Sequence, residues 1–159
     1  LLFSLVASAL YHMTPWERVR PLFRRIDHAG IYFKIAGTYT PLMVLIGSAF
    51  SYGMLALVWS LAALGAVVKL LFWARPGKWA PILYLILGWL SLVVVWSLFP
   101  ILPIAASVLI FAGGVLYSAG VVFFSWEELR FQNAIWHIFV LAASSCFFIA
   151  ISLGTLATT

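Results

Sequence analysis

Apolar residues run in long stretches along this chain, and charged residues fall almost entirely between them. A helix that crosses a bilayer needs roughly 20 mostly apolar residues. On that rule the pattern predicts spans at roughly 29–48, 54–73, 80–98, 102–124 and 132–155. Residues 1–13 are apolar but too short to cross. With Leu1 rather than a methionine in front, they read as the back end of a span whose first part is cut off. They lack the basic region and small-residue cleavage site of a signal peptide. Pro15, Pro21, Pro76, Pro100 and Pro103 sit in or beside the connections, where a missing N–H costs least. Pro41 falls inside a span and is expected to kink it, with Thr38 or Thr40 satisfying freed carbonyls.

Composition supports the membrane reading. Hydrophobic residues make up 65% of the chain and charged residues 8%, against about 25% charged in a soluble domain. That leaves too little polar surface to cover a soluble globule. The 159 residues are expected to form one all-α transmembrane domain. A single cysteine, Cys146, excludes an internal disulfide framework and a cysteine-rich zinc module. The net charge of +5 is read as a topology signal, with no nucleic-acid partner expected.

The connections alternate in charge. The first holds Glu17, Arg18, Arg20, Arg24 and Arg25, the third Arg75 and Lys78, and the fifth Glu127, Glu128 and Arg130. The second, 47–53, and the fourth, around 99–103, carry no charge. Basic residues concentrate in loops that stay cytoplasmic. The first, third and fifth connections are therefore expected on the cytoplasmic side and the C-terminus outside. The alternation independently supports six crossings.

This orientation gathers a candidate site. His12 ends the first span, Asp27 and His28 begin the second, and Asn133 and His137 begin the last, all at the cytoplasmic side. Ionisable groups in membrane-embedded sequence are costly, which makes each a candidate for function. Asn133 and His137 are four residues apart, on one helical face. His12 and His137 suit zinc, and Asn133 offers a weaker carbonyl donor. Asp27 suits a ligand or a base for a bound water. Ser8, one turn before His12, suits a supporting hydrogen bond.

Plainer roles stand beside these. Asp27 occupies an expected N-cap position, where a carboxylate satisfies free N–H groups. His28 reads as interfacial rather than as a ligand, and His12 and His137 can hydrogen-bond across helices. Lys34 and Lys69 suit snorkelling to head groups, although Lys34 is deep enough to line a cavity. Arg18, Arg20, Arg24 and Arg25 suit topology and anionic-lipid contact. Gly113, Gly114 and Gly120 suit close helix approach. No nucleophile elbow, P-loop or dinucleotide fingerprint is present.

Several motifs together resemble the hemolysin III family, the bacterial branch of the progestin and adipoQ receptor superfamily. They are Ser8-x-x-Tyr11-His12, Asp27-His28-Ala29-Gly30-Ile31-Tyr32 leading into 35–41, Leu87-Gly88-Trp89, the run 113–123, and Ala134-Ile135-Trp136-His137 with the residues to 141. The resemblance implies a seven-helix bundle with a cytoplasmic N-terminus, of which six spans are present here, the first helix missing and the second truncated. It implies a zinc ion held by the histidine matching His12 and two histidines on the last helix, with the aspartate matching Asp27 near a metal-bound water. Related membrane enzymes use a similar Ser/Asp/His set to hydrolyse lipid amides. Two positions depart from the pattern: Asn133 stands where the first of the last-helix histidines is expected, and Phe147 where a later one is.

The resulting expectation is a multi-pass protein of the bacterial inner membrane, in contact with membrane lipids and able to take a lipid or fatty-acyl ligand. One reading is a zinc-dependent hydrolase of a lipid amide or ester, linked to membrane homeostasis. The other is a non-enzymatic lipid-state sensor or cytolysin with a degenerate metal site.

Overall fold

The structure is a computed structural model that describes residues 1–71, 79–90, 100–126 and 128–158. Among these residues it is all helical: α1 (Leu2–Met13), α2 (Arg20–Ile46), α3 (Ala49–Leu71), α4 (Trp79–Trp89), α5 (Ile104–Ser125) and α6 (Gln132–Thr158). α2, α3, α5 and α6 are each long and apolar enough to cross a membrane. The chain is thus a multi-pass membrane protein. The predicted span 80–98 is seen as α4, and its part from 91 to 98 lies outside the described residues.

The largest departure from the expected boundaries is at the start of α2, at Arg20 rather than near residue 29. Hydropathy stops at the charged cluster, but helical geometry does not. Pro21 occupies the first turn, where its fixed φ suits a helix and its missing N–H would be unbonded anyway. The helix therefore carries Arg24, Arg25, Asp27 and His28 as helical residues. Asp27 lies two turns inside α2 and is not its N-cap, which is Val19. The capping role is overturned.

At its far end α2 stops at Gly47, whose φ of 63° is left-handed and whose N–H bonds the Met43 carbonyl at 3.1 Å. Glycine enters that conformation without the steric penalty of a Cβ. Ser48 and Ser51 then start α3 with a reciprocal pair of bonds. Each backbone N–H donates to the other's hydroxyl at 3.1 Å, the capping-box arrangement. α2 runs on through Pro41 as one helix. Thr38 and Thr40 donate to the carbonyls of Lys34 and Ala36.

α2 is the hub of the bundle, in contact with α1, α3, α4 and α6. The buried core lies along it and includes Tyr32, Ala36, Tyr39, Leu42 and Met43, with Val58 and Ala62 of α3, Ile110 of α5 and Phe147 of α6. Polar side chains tie the helices together, as bonds between spans do where water is absent. The Tyr39 hydroxyl donates to the Leu87 and Gly88 carbonyls of α4, both at 2.9 Å. Trp89 Nε1 donates to Ser118 of α5 at 3.0 Å, and Tyr117 and Ser144 join α5 to α6 at 2.7 Å. Arg25 Nη1 donates to the Leu70 carbonyl at 3.2 Å, capping the last turn of α3 as a cation at a helix C-terminus does. Arg25 is thereby a structural tether, beyond the topological role expected of it.

α5 and α6 share the most extensive helix contact. A Cβ placed on Gly120 would lie 2.9 Å from the Phe139 Cβ, and one on Gly113 would lie 2.8 Å from the Phe147 ring. Both glycines hold the helices close, as expected. A Cβ on Gly114 would have nothing within 4 Å, so close approach does not explain that glycine.

Candidate functional site

Three helix ends meet at one end of the bundle. α1 delivers His12 in its last turn, α2 delivers Asp27 and His28, and α6 delivers Asn133 and His137 in its first two turns. The Gln132 side chain donates to the Phe124 carbonyl, which pins the start of α6 against the end of α5. His12, Asp27, His28, Asn133 and His137 all line one cavity, which continues inward past Lys34 to Leu42 and Phe147. Its volume is about 140 Å³.

The two imidazoles expected to act together do meet. The His12 and His137 rings stand edge to face, with centroids 6.4 Å apart. His137 Nδ1 lies 2.6 Å from the Asn133 backbone carbonyl. A carbonyl only accepts, so Nδ1 carries the proton and Nε2 keeps its lone pair for a metal or a proton. Asn133 thus supports His137 through its backbone, a role its side-chain chemistry did not suggest.

Asp27 lies within electrostatic range of His137, and Ser8 faces its carboxylate. Ser8 is 3% exposed, and its hydroxyl oxygen has no hydrogen-bond partner. It stops short of a bond of normal geometry with Asp27. A buried hydroxyl left open in this way is costly. Ser8 is packed behind the cavity wall rather than among its lining residues.

The donor set suits zinc in kind: two imidazoles, a carboxylate and a supporting hydroxyl. Its spacing is open. With nitrogen–zinc bonds of about 2.0–2.1 Å, two rings on one tetrahedral ion have centroids about 5 Å apart, so the pair stands about an ångström too wide. No three His, Cys, Asp or Glu side chains among the described residues are grouped closely enough to hold an ion. Phe147 is a core residue, 9% exposed and stacked on Tyr117 at 6.0 Å. An additional histidine is therefore replaced there by packing.

Two residues lie closer to the site than expected. The His28 side chain is 12% exposed and lines the cavity. Its Nδ1–H donates to the Arg24 carbonyl at 2.8 Å, its ring meets Phe124 at 6.4 Å, and Nδ1 lies 4.0 Å from Asp27 Oδ2. Lys34 does not snorkel to head groups. Its ammonium sits 4.5 Å above the Tyr117 ring, in the cavity wall. Depth in the span signalled a cavity role for Lys34. For His28, the adjacent Asp27 was the only sequence signal.

Comparison with known proteins bears on this arrangement. The model of the haemolysin-III related family matches residues 1–148. The chain belongs to the hemolysin III family. Hemolysin-3 of Bacillus cereus is 39% identical over 158 residues, covering 99% of this chain and 70% of that protein. The Bacillus subtilis hemolysin-3 homolog is 37% identical over 152 residues, covering 95% and 71%. The human monocyte to macrophage differentiation factor is 30% identical over 154 residues, covering 92% and 63%. No solved structure matches. For this hemolysin III member, the family match extends across His12, Asp27, Asn133 and His137 alike.

Proposed function

We propose that this hemolysin III protein is a zinc-dependent hydrolase of a lipid amide or ester, working within the bacterial inner membrane and linked to membrane homeostasis. The observation that supports it best is the convergence of His12, Asp27 and His137 from three helices on a cavity continuous with the apolar interior. His12 and His137 would hold the ion, with Asn133 beside them. Bound there, zinc would supply a Lewis acid that makes water nucleophilic near neutral pH. Asp27 would serve as general base towards an attacking water and as general acid towards the departing amine or alkoxide. Ser8, whose hydroxyl is without a partner beside that carboxylate, would donate to Asp27 once the two close to bonding distance, and so fix its direction. The Asn133 carbonyl holds the His137 ring in the tautomer that leaves Nε2 free. The apolar walls take the acyl chain. In this reading the basic loops face the cytoplasm and the C-terminus faces out, following the charge alternation of the connections.

The full-length protein in lipid nanodiscs tests the proposal through metal content and hydrolysis of a mixed panel of lipid amides and esters. Near-stoichiometric zinc is expected in the wild type and a large loss in His137→Ala. Asp27→Asn is expected to keep the zinc and lose turnover by about 10²–10⁴-fold, the usual weight of a general base. Absence of zinc from the wild type would overturn the reading.

A non-enzymatic lipid-state sensor is the second reading. It is favoured by the open spacing of the donors and by Asn133 in place of an imidazole. The name of the Bacillus relatives also suggests a cytolysin. A pore needs a continuous polar path, and the apolar walls at Leu42, Ile110 and Phe147 argue against one within a single chain.

A further inference from the structure

The seam between α2 and α3 ends in positive charge that lies outside the cavity wall and that the proposed hydrolysis does not use. Along α3, Ala62 and Ala66 are buried, and a Cβ on Gly65 would lie 2.5 Å from the Tyr32 ring of α2. Lys69 follows three residues after Ala66 and four after Gly65, so it continues the face that packs on α2. One residue further, the Leu70 carbonyl accepts from Arg25 Nη1 at 3.2 Å. Tyr32 beside Gly65 and Arg25 beside Leu70 make the two helices antiparallel here. Lys69 is thereby level with the turn of α2 that carries Arg24, Arg25 and His28. Arg24 and Lys69 stand within electrostatic range of each other and of His28. Lys69, Arg24 and Arg25 are all half-buried.

The end of α3 does not account for this much charge. A helix C-terminus carries about half a negative charge, and Arg25 already holds the Leu70 carbonyl. Among the described residues the one ion pair to a carboxylate is His28–Asp27, so Lys69 has no such partner there. Like charges gathered in a half-buried seam repel one another, and an anion seated among them relieves that repulsion. On the neighbouring face of α3, Leu57, Leu61, Leu64 and Val68 form an exposed apolar stripe at helical spacing. The stripe runs up to the residue beside Lys69.

We propose that Lys69 and Arg24 clamp the phosphodiester of an anionic phospholipid at the outer surface of the α2–α3 seam, with an acyl chain lying along the stripe. A guanidinium grips a phosphate through two parallel N–H bonds, and an ammonium adds a compact point charge. A zwitterionic head brings its own cation into the cluster and is repelled. An anionic head such as phosphatidylglycerol brings none. The lipid lies outside the bundle and serves as the ionic partner that Lys69 lacks.

The test is native mass spectrometry of the full-length protein released from nanodiscs of equal parts phosphatidylglycerol and phosphatidylcholine, reading the ratio of the two lipids retained. Each basic group near an anionic surface is worth about fivefold, so the wild type is expected to favour phosphatidylglycerol by at least about tenfold. Lys69→Met is expected to lower the ratio about fivefold, while Lys69→Arg keeps it. Arg130→Gln, which removes a cation from the α5–α6 connection at the same end of the bundle, is expected to leave the ratio within about twofold. Equal retention of the two lipids by the wild type would overturn the clamp, and that comparison needs no variant. Survival of the preference in Lys69→Met, or an equal loss in Arg130→Gln, would overturn it too. Millimolar glycerol 3-phosphate, which carries a phosphate without chains, is expected to leave the lipid in place. Displacement by it would assign the cluster to a soluble phosphate and overturn the lipid. Neither metal nor turnover enters the readout.

Discussion

Along α6, Phe147 packs into α5 against Gly113 and Tyr117. About three turns earlier, His137 of the same helix borders a cavity that it shares with His12 and Asp27. The two regions use the helix in opposite ways. In the α5–α6 seam, small residues let backbones approach, and dispersion between close surfaces holds the spans. At the α1–α2–α6 end, side chains with polar tips meet at longer range and leave room between them. Contact is bought in the seam by deleting side chains. The cavity end keeps its side chains and stays open. A membrane protein whose spans are apolar throughout can still localise chemistry in this way, by gathering its polar side chains at one end of a cavity that runs on between apolar walls.

The comparison breaks most sharply at Gly120. Gly120→Val is expected to lower stability by about 1–3 kcal/mol, the usual cost of overpacking, because its Cβ would lie 2.9 Å from Phe139 and 3.1 Å from the Trp136 ring. Gly114→Ala meets nothing within 4 Å and is expected to leave stability unchanged or raise it by up to about 1 kcal/mol through helix propensity. Thermal unfolding of both variants in one detergent reads the difference. Equal losses would show that the seam is not the tight region described.

The open end is sharpened by adding a donor. Asn133→His places a second imidazole one turn from His137, the i, i+4 spacing with which paired histidines bind zinc on a helix. Zinc affinity is expected to rise at least tenfold, equivalent to about 1.4 kcal/mol. The check is zinc stoichiometry of wild type and variant dialysed against the same weak chelator. An unchanged value at low occupancy would mean that the end is too wide to close around an ion even with the extra ring.

The smallest effect is expected between the two regions. Tyr39→Phe removes the hydroxyl that joins α2 to α4. Bonds of this kind inside membranes average about 0.6 kcal/mol and reach about 1.7. A small drop in melting temperature with unchanged zinc content fits a purely structural bond. A large loss of zinc would instead make α4 part of the cavity's working wall.

Much of this architecture was legible in the chain. The apolar runs identified α2, α3, α5 and α6 as spans to within a few residues, apart from the start of α2. There, hydropathy failed because it reports where a helix leaves the lipid, not where it stops being a helix. Pro21 decided that boundary by starting the first turn outside the apolar run. The same misjudged boundary made Asp27 look like a cap. Span order places His12, Asp27 and His137 at one end, and all three line one cavity.

The sequence by itself determined the class of protein and the order of its spans. Those follow from one-dimensional quantities: run length, charge and position within a run. Only the tertiary structure decided the rotation of each helix about its axis. In a soluble protein the polar face of a helix marks that rotation. In a membrane the outward and inward faces are both apolar, so the pattern carries little record of it. That is why the pattern left Lys34 open between the lipid boundary and a cavity, why His28 did not stand out as a cavity residue, and why the position of Phe147 became a packing contact. Helix rotation placed them there, and in lipid it is set by which surfaces fit against each other.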